Sequence, residues 1–292
     1  MQYKTISFLN EKFKFNRGIN AISTDDVMVF DVLASPLMAI AKTYDSSFEP
    51  FHEYEYNRSF PERMSVDFSF SNGDRENITF DFCDYNIVSA RWISKHSDLG
   101  NQIIQKEKDK PILAYYRHGN CVHQDVYKSY DNCNNLNNLY REREWFPWKE
   151  WNKEYDYFSK LAIEAKYGNK NDFAVFHYNN LKQIMDEILS VNHSDGFDFS
   201  IDVGKFIYYN DSRCLNVATD NFDLGITVGM IMQLYIGCLS RKEDNFIGHP
   251  CDCKGIVVCN YNFGERPSYS DKKWEYYRIF AKYFPNIQFI VC

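Results

Sequence analysis

Two apolar runs near the end of the chain, the continuous Gly255-Ile-Val-Val-Cys259 and Ile287-Gln-Phe-Ile-Val291 with its one glutamine, constrain the fold more than any other feature. A strand apolar on both faces must be covered on both faces, which is the habit of parallel sheets and not of solvated hairpins. Asp271–Tyr283 lies between the runs with the spacing of an amphipathic helix, and Pro285-Asn286 breaks it. Strand, helix, strand in this order is a βαβ unit, so the class is α/β. A long apolar helix, about Phe222–Leu239, precedes the unit and reaches it through a Cys/Pro/Gly loop.

Upstream, the pattern changes to alternation. Met1–Phe15 mixes apolar and charged residues as strands do. Val66, Phe68 and Phe70, then Asn72-Gly73, then Ile78, Phe80 and Phe82 read as a hairpin with a Ser71–Asn77 connection. One helix-like segment, Val27–Lys42, interrupts this region, and Pro36 predicts a kink or split near Ser35. A short strand follows at Ile112–Tyr116, and the Asn-rich run Asp131–Asn138 reads as a surface loop. Glu142–Tyr167 is helical in pattern and split by Pro147, with Tyr178–Leu189 as a second helix. Phe197, Phe199, Ile201 and Val203 alternate before Gly204 and Phe206–Tyr209, a second hairpin. The aromatic stretch Trp145–Phe158 has two readings, a local core or an exposed stripe for a partner protein. Glu142, Glu144, Glu150 and Glu154 alternate with Arg141, Arg143, Lys149 and Lys153, which reads as a solvated helix face.

Composition narrows the function classes. With 45% hydrophobic and 25% charged residues in 292, the chain is globular and not disordered. A net charge of −7 argues against broad contact with nucleic-acid phosphates, although a local basic patch leaves nucleic-acid contact open. Val27–Ala41 is too short for a membrane span and contains Asp31 and Pro36. Leu224–Ser240 holds Gln233 and abuts Arg241-Lys242, so it reads as a buried core helix and no membrane is expected. The start of the chain has no export pattern, and the nine cysteines are odd in number and irregular in spacing. Free thiols in a reducing cytoplasm are expected. His249, Cys251 and Cys253 are the first place to look for a metal, with His118, Cys121 and His123 second; neither group has paired C-x-x-C spacing, so no metal is expected. No G-x-S-x-G elbow occurs, so nucleophilic hydrolysis has no context.

The C-terminal residues also carry a family likeness. Gly255–Tyr261, then Trp274, then Phe284-Pro-Asn-Ile-Gln-Phe-Ile-Val291 resembles the C-terminal core of ABC-type AAA ATPases, the SMC, RecF and OLD relatives and the ATPase subunits of anti-phage systems such as Septu. Phe13–Phe15 with Gly18–Ile22 is similar to the strand that enters that family's phosphate loop. Tyr140–Trp151 resembles the aromatic-acidic start of its insertion, and Val217–Ser240 falls where its signature motif and long helix belong. The resemblance implies an ABC-type P-loop ATPase-like head spanning 1–292, with an N-terminal β-rich lobe and a helical insertion at about 120–192.

The same alignment implies that the chemistry is gone. Phosphate transfer needs glycines that let amides wrap the phosphates, a lysine on the β/γ charge, and a hydroxyl on Mg²⁺. The corresponding positions are Thr24, Val29, Phe30 and Asp31, and no G-x-x-x-x-G-K-[ST] occurs anywhere in the chain. Val29 disfavours the φ > 0 conformations that glycine supplies. Asp31 about 4 Å from an anion costs about 4 kcal/mol at an effective dielectric near 20. The acidic pair of the catalytic strand aligns with Asn260 and Tyr261, and the signature motif with Val217–Asn221. Tyrosine at neutral pH is no general base.

No cofactor and no catalytic residue are therefore expected. The resemblance implies a non-catalytic subunit that binds a protein partner, an active ATPase or effector, as a homo- or hetero-oligomer in an anti-phage complex. Two alternatives stand beside it: a phage or mobile-element mimic that blocks a host defence ATPase, and a divergent metal-dependent enzyme using the His249–Cys253 loop.

Overall fold

The computed structural model describes residues 1–8, 11–23, 29–30, 32–34, 36–37, 40, 63–83, 86–92, 106–107, 111–117, 120–124, 126–128, 137–139, 143–144, 152–168, 171–217, 222–260 and 270–291. The N-terminal region is β1 (Gln2–Phe8), β2 (Glu11–Lys14) and β3 (Ile19–Ala21), followed by β4 (Arg63–Ser69), β5 (Arg75–Cys83) and β6 (Asn86–Trp92). All but β3 form one antiparallel sheet in the order β2-β1-β4-β5-β6. Its inward residues are the alternating ones: Tyr3, Ile6 and Phe8 on β1, Met64, Val66 and Phe68 on β4, Ile78 and Phe80 on β5.

The central sheet adds β7 (Ile112–Arg117), β8 (Asn120–Gln124) and β11 (Arg143–Glu144), while β9 (Val126–Lys128) and β10 (Asn137–Leu139) pair only with each other. Helices α1 (Asn152–Tyr167) and α2 (Asp172–Ser190) follow, then the small antiparallel sheet β12 (Asp195–Ser200), β13 (Lys205–Asn210) and β14 (Arg213–Asn216). Helix α3 (Phe222–Leu239), β15 (Gly255–Asn260), α4 (Ser270–Tyr283) and β16 (Ile287–Val291) close the chain. The six-stranded order is β11-β8-β7-β15-β16-β3, and the four strands β7, β15, β16 and β3 run parallel. The predicted βαβ unit is thus present, with α4 crossing between neighbouring parallel strands.

Strand periodicity divides the interior into two cores. Leu113, Tyr115, Ile256, Val258 and Ile290 face the N-terminal sheet, and Phe30, Leu33, Leu37 and Ile40 fill the space between the two sheets. Ile112, Ala114, Tyr116, Val257, Cys259, Phe289 and Val291 face the helices. Helix α3 is buried along nearly its whole length from Leu224 to Leu239, which is why it is apolar all round and not amphipathic. Gln288 is the polar exception on the inward face of β16. It is fully buried, accepts from Tyr3 N (2.8 Å), and donates to Tyr3 O (3.0 Å) and Asn16 O (2.8 Å), stitching β1 to the central sheet. Gly255 is required by contact: a Cβ there would sit 2.3 Å from the Ile112 carbonyl oxygen.

Several elements differ from their sequence reading. The β4–β5 connection is shorter than Ser71–Asn77, because Arg75, Glu76 and Asn77 pair with Ser69, Phe68 and Asp67. Pro36 lies among helical residues, with Ala34 and Leu37 also helical; Ser35 is outside the described residues. Among the described residues, the first part of the 120–192 stretch carries strands: β11 occupies Arg143–Glu144, β10 takes in Asn137 and Asn138, and the described helix runs from Asn152. Two- and three-residue strands exist through pairing alone and leave no periodicity to read. Pro147 and Trp145–Trp151 are outside the described residues, while Tyr157 and Phe158 are buried in the helical core and Tyr155 packs against it. Glu154 is fully buried and accepts from Gln233 Nε2 at 3.3 Å, so it is no part of a solvated face. Ile201 and Val203 lie in the β12–β13 turn, both exposed. The unpredicted β14 is set by a two-residue turn in which Asp211 (φ 47) and Ser212 (φ 66) both take left-handed backbone, the requirement of a type I′ hairpin.

Candidate functional site

Parallel register brings the carboxyl ends of the central strands to one edge. Ala21 of β3 lies opposite Val291 of β16, Val291 opposite Cys259 of β15, and Cys259 opposite Tyr116 of β7. Ile22 N continues the pairing to Val291 O (2.9 Å) before the chain leaves β3. The described helical residues among 29–40 pack on the face toward the N-terminal sheet. Helix α4, which follows β15, packs on the opposite face through Tyr276, Tyr277 and Phe280. The carboxyl ends of parallel strands are the usual ligand position in open α/β sheets, and this edge is therefore the place to look for a site.

The turn into β3 is built locally. Gly18 takes φ +84, a left-handed conformation that favours glycine. Asn20 Oδ1 accepts from Asn16 N (2.7 Å), and its Nδ2 donates toward Asn16 O (3.0 Å) and Gly18 O (3.1 Å). The strand is thereby held in register with β16, where Phe289 N donates to Gly18 O at 2.9 Å.

Of the aligned pocket residues, Asn260 ends β15 at this edge, opposite Arg117. Val29 is half-buried against the core between the sheets, and Phe30 is 1% exposed within it. Thr24, Asp31 and Tyr261 lie outside the described residues, as do 218–221 of the aligned signature; Val217 is buried in the helical core. The edge therefore gathers Asn260 and the exit of β3. Phe30 instead lies inside the apolar packing between the sheets, where an ammonium would be desolvated.

His249, Cys251 and Cys253 belong to the opposite end of β15, about 16 Å away at 3.3 Å per residue from Gly255 to Asn260. They are not brought together as ligands. His249 is exposed with its ring 5.8 Å from Phe176, whereas Cys251 and Cys253 are buried. Cys253 Sγ donates to the carbonyls of Cys238 and Pro250, both at 3.5 Å. Burial, with the neighbouring Cys251 thiol, pushes the Cys238 thiol well up; the Cys238 side chain, then burial, does the same for Cys253. Among the described residues, no group of three His, Cys, Asp or Glu could hold a metal ion. Cys121 and His123 lie on β8, paired with Tyr116 and Ala114, and His118 is outside the described residues.

Beside these thiols sits a polar pair that the sequence did not single out. His177 on α2 and Tyr235 on α3 are both fully buried, with Tyr235 OH 2.7 Å from His177 Nδ1 and Phe246 O 2.8 Å from Nε2. A carbonyl only accepts, so Nε2 carries the proton and Nδ1 accepts from the tyrosine. Burial lowers the His177 pKa, and the His249 ring adds to that against the opposing Phe246 bond. A single histidine on an apolar helix face leaves no pattern, and Gln288 and Gln233 are equally silent.

No protein-family model and no curated protein matches the chain. Among solved structures it is similar to the recombination mediator protein RecF-ATPrS in the RecFOR pathway, at 11% identity and a TM-score of 0.39, over 100% of this chain and 92% of that one. Among the described residues, no helix is long and apolar enough to cross a membrane.

Proposed function

We propose that this chain is an ATPase-like head that does not turn over nucleotide and acts by binding a protein partner, in the anti-phage setting that its C-terminal resemblance implies. The observation that carries the reading is the exit from β3. The chain contains no G-x-x-x-x-G-K-[ST], and the residue aligned with the phosphate-binding lysine is a phenylalanine buried between the sheets. The sequence has Asn260, a neutral residue, at the end of β15, where the resemblance puts a carboxylate for Mg²⁺. A head that lacks both the lysine and the metal carboxylate has little with which to neutralise a triphosphate.

The reading predicts no thermal shift with Mg·ATP at millimolar concentration and no phosphate release. A stabilisation of several degrees, which saturating ligand produces by mass action, would reject it. Co-purification with an ATPase encoded beside it, with that ATPase still active, supports the subunit role; a loss of its activity points to a blocking mimic instead.

A further inference from the structure

We propose that Cys238 and Cys253 are an oxidisable pair: a peroxide joins their sulfurs in a reversible disulfide that fastens the end of α3 to the residues leading into β15. Both are free thiols in the structure, as is Cys251 between them in sequence. Cys238 lies in the last turn of α3, fully buried, and its thiol hydrogen-bonds with the Cys251 and Cys253 thiols of the loop that follows. Of the two, Cys253 is the one fixed against the helix end. Its Sγ also donates to the Cys238 carbonyl at 3.5 Å, and to Pro250 O at the same distance. Side chains already in contact reach the ~2 Å of a disulfide by rotating about their own bonds.

The step needs one oxidant, and the site admits a small one. Cys253 is 8% exposed, within reach of hydrogen peroxide, whereas Cys238 is closed off. The Cys253 thiolate attacks one peroxide oxygen and becomes a sulfenic acid, with hydroxide leaving. The Cys238 sulfur then attacks that of Cys253; the S–S bond forms, and the sulfenic hydroxyl leaves with the Cys238 proton as water. Two thiols and one peroxide thus become a disulfide and two waters. The Cys238 contact and burial keep the Cys253 thiolate scarce, while the Arg241 and Lys242 cations oppose them. The pair therefore answers sustained oxidant and not a brief pulse. The two cysteines stand 15 positions apart, so their bond closes a short loop and restrains the unfolded chain more than the folded one.

The test uses the full chain carrying Cys214→Ser, which removes the exposed thiol of β14 as a source of intermolecular bonds. Folded protein is held in millimolar hydrogen peroxide in mildly alkaline buffer, quenched with catalase, alkylated under denaturing conditions and mapped by peptide mass spectrometry. The expected product is a Cys238–Cys253 cross-linked peptide that dithiothreitol removes, in a protein that melts several degrees higher than its reduced form. Cys251→Ser, added to this background, should leave the cross-link in place. Cys238→Ser should abolish it and carry Cys253 on to the sulfinic acid, with no rise in melting temperature. The proposal is overturned if the folded protein yields no Cys238–Cys253 peptide, if that peptide forms only after unfolding in urea, if Cys251→Ser prevents it, or if the oxidised protein melts no higher than the reduced one. The Cys214→Ser protein decides the matter even where a buried-cysteine variant does not fold.

Discussion

Phe30 shows how one side chain separates a fold from a chemistry. It is helical where the family resemblance places a lysine, and it sits within the apolar core with Leu33, Val258 and Ile290. Phe30→Lys would place an ammonium in that core. The expected result is a loss of about 3–5 kcal/mol, comparable to deleting a buried phenyl ring, with no gain of ATP hydrolysis. Urea denaturation gives the first quantity and a phosphate-release assay the second. Measurable turnover in a stably folded Phe30→Lys protein would show that this position faces a working pocket. Glu154 teaches the converse lesson about reading residues. Its charged neighbours Lys149, Glu150 and Lys153 look like a solvated face, and only the packing of α1 against α3 reveals a carboxylate buried beside Gln233.

Elements with many regular turns were legible, and those made only by a partner were not. The sequence located α3 to the residue and β15, α4 and β16 to within one, because apolar runs bounded by Gly, Pro and Asn leave few alternatives. It missed β11 and β14 and overran β12 into Ile201 and Val203, since two to four residues carry no measurable period. The strand-end edge drew attention only through the family likeness, and the pairing of His177 with Tyr235 left no trace at all.

The junction of α1 with β12 gives an element-scale prediction. Burial raises the Asp198 carboxyl, but bonds from Lys166 Nζ (2.7 Å), Tyr178 OH and Phe199 N (2.9 Å) outweigh it and hold its pKa below the ordinary 3.8. A lowered carboxylate pKa contributes stability that is present above 3.8 and lost as pH falls through the folded value. Lys166→Met should therefore move the Asp198 titration upward by NMR and flatten the acid limb of stability below about pH 4. An unchanged titration would mean that the ammonium contributes nothing.

At the scale of the whole molecule, three layers share one sheet, and Gln288 is the polar fastening between two of them. Gln288→Leu removes the partners of Tyr3 N, Tyr3 O and Asn16 O at once. The expected loss is about 2–3 kcal/mol in denaturant, since buried donors and acceptors are costly to orphan. A Gln288→Glu variant should lose a comparable amount, because a carboxylate cannot donate to two carbonyls; full stability in either variant would remove the fastening from the account.

That fastening also sets the tempo of assembly. Strand β3 finds its neighbour β16 some 270 residues further along, and Tyr3 is bonded to a side chain 285 positions away. Closing loops of that length is entropically expensive and comes late. During synthesis, the apolar undersides of β1, β4 and β5 therefore lack their final cover until β16 has emerged, and the nascent polypeptide stays vulnerable to sticking throughout that interval.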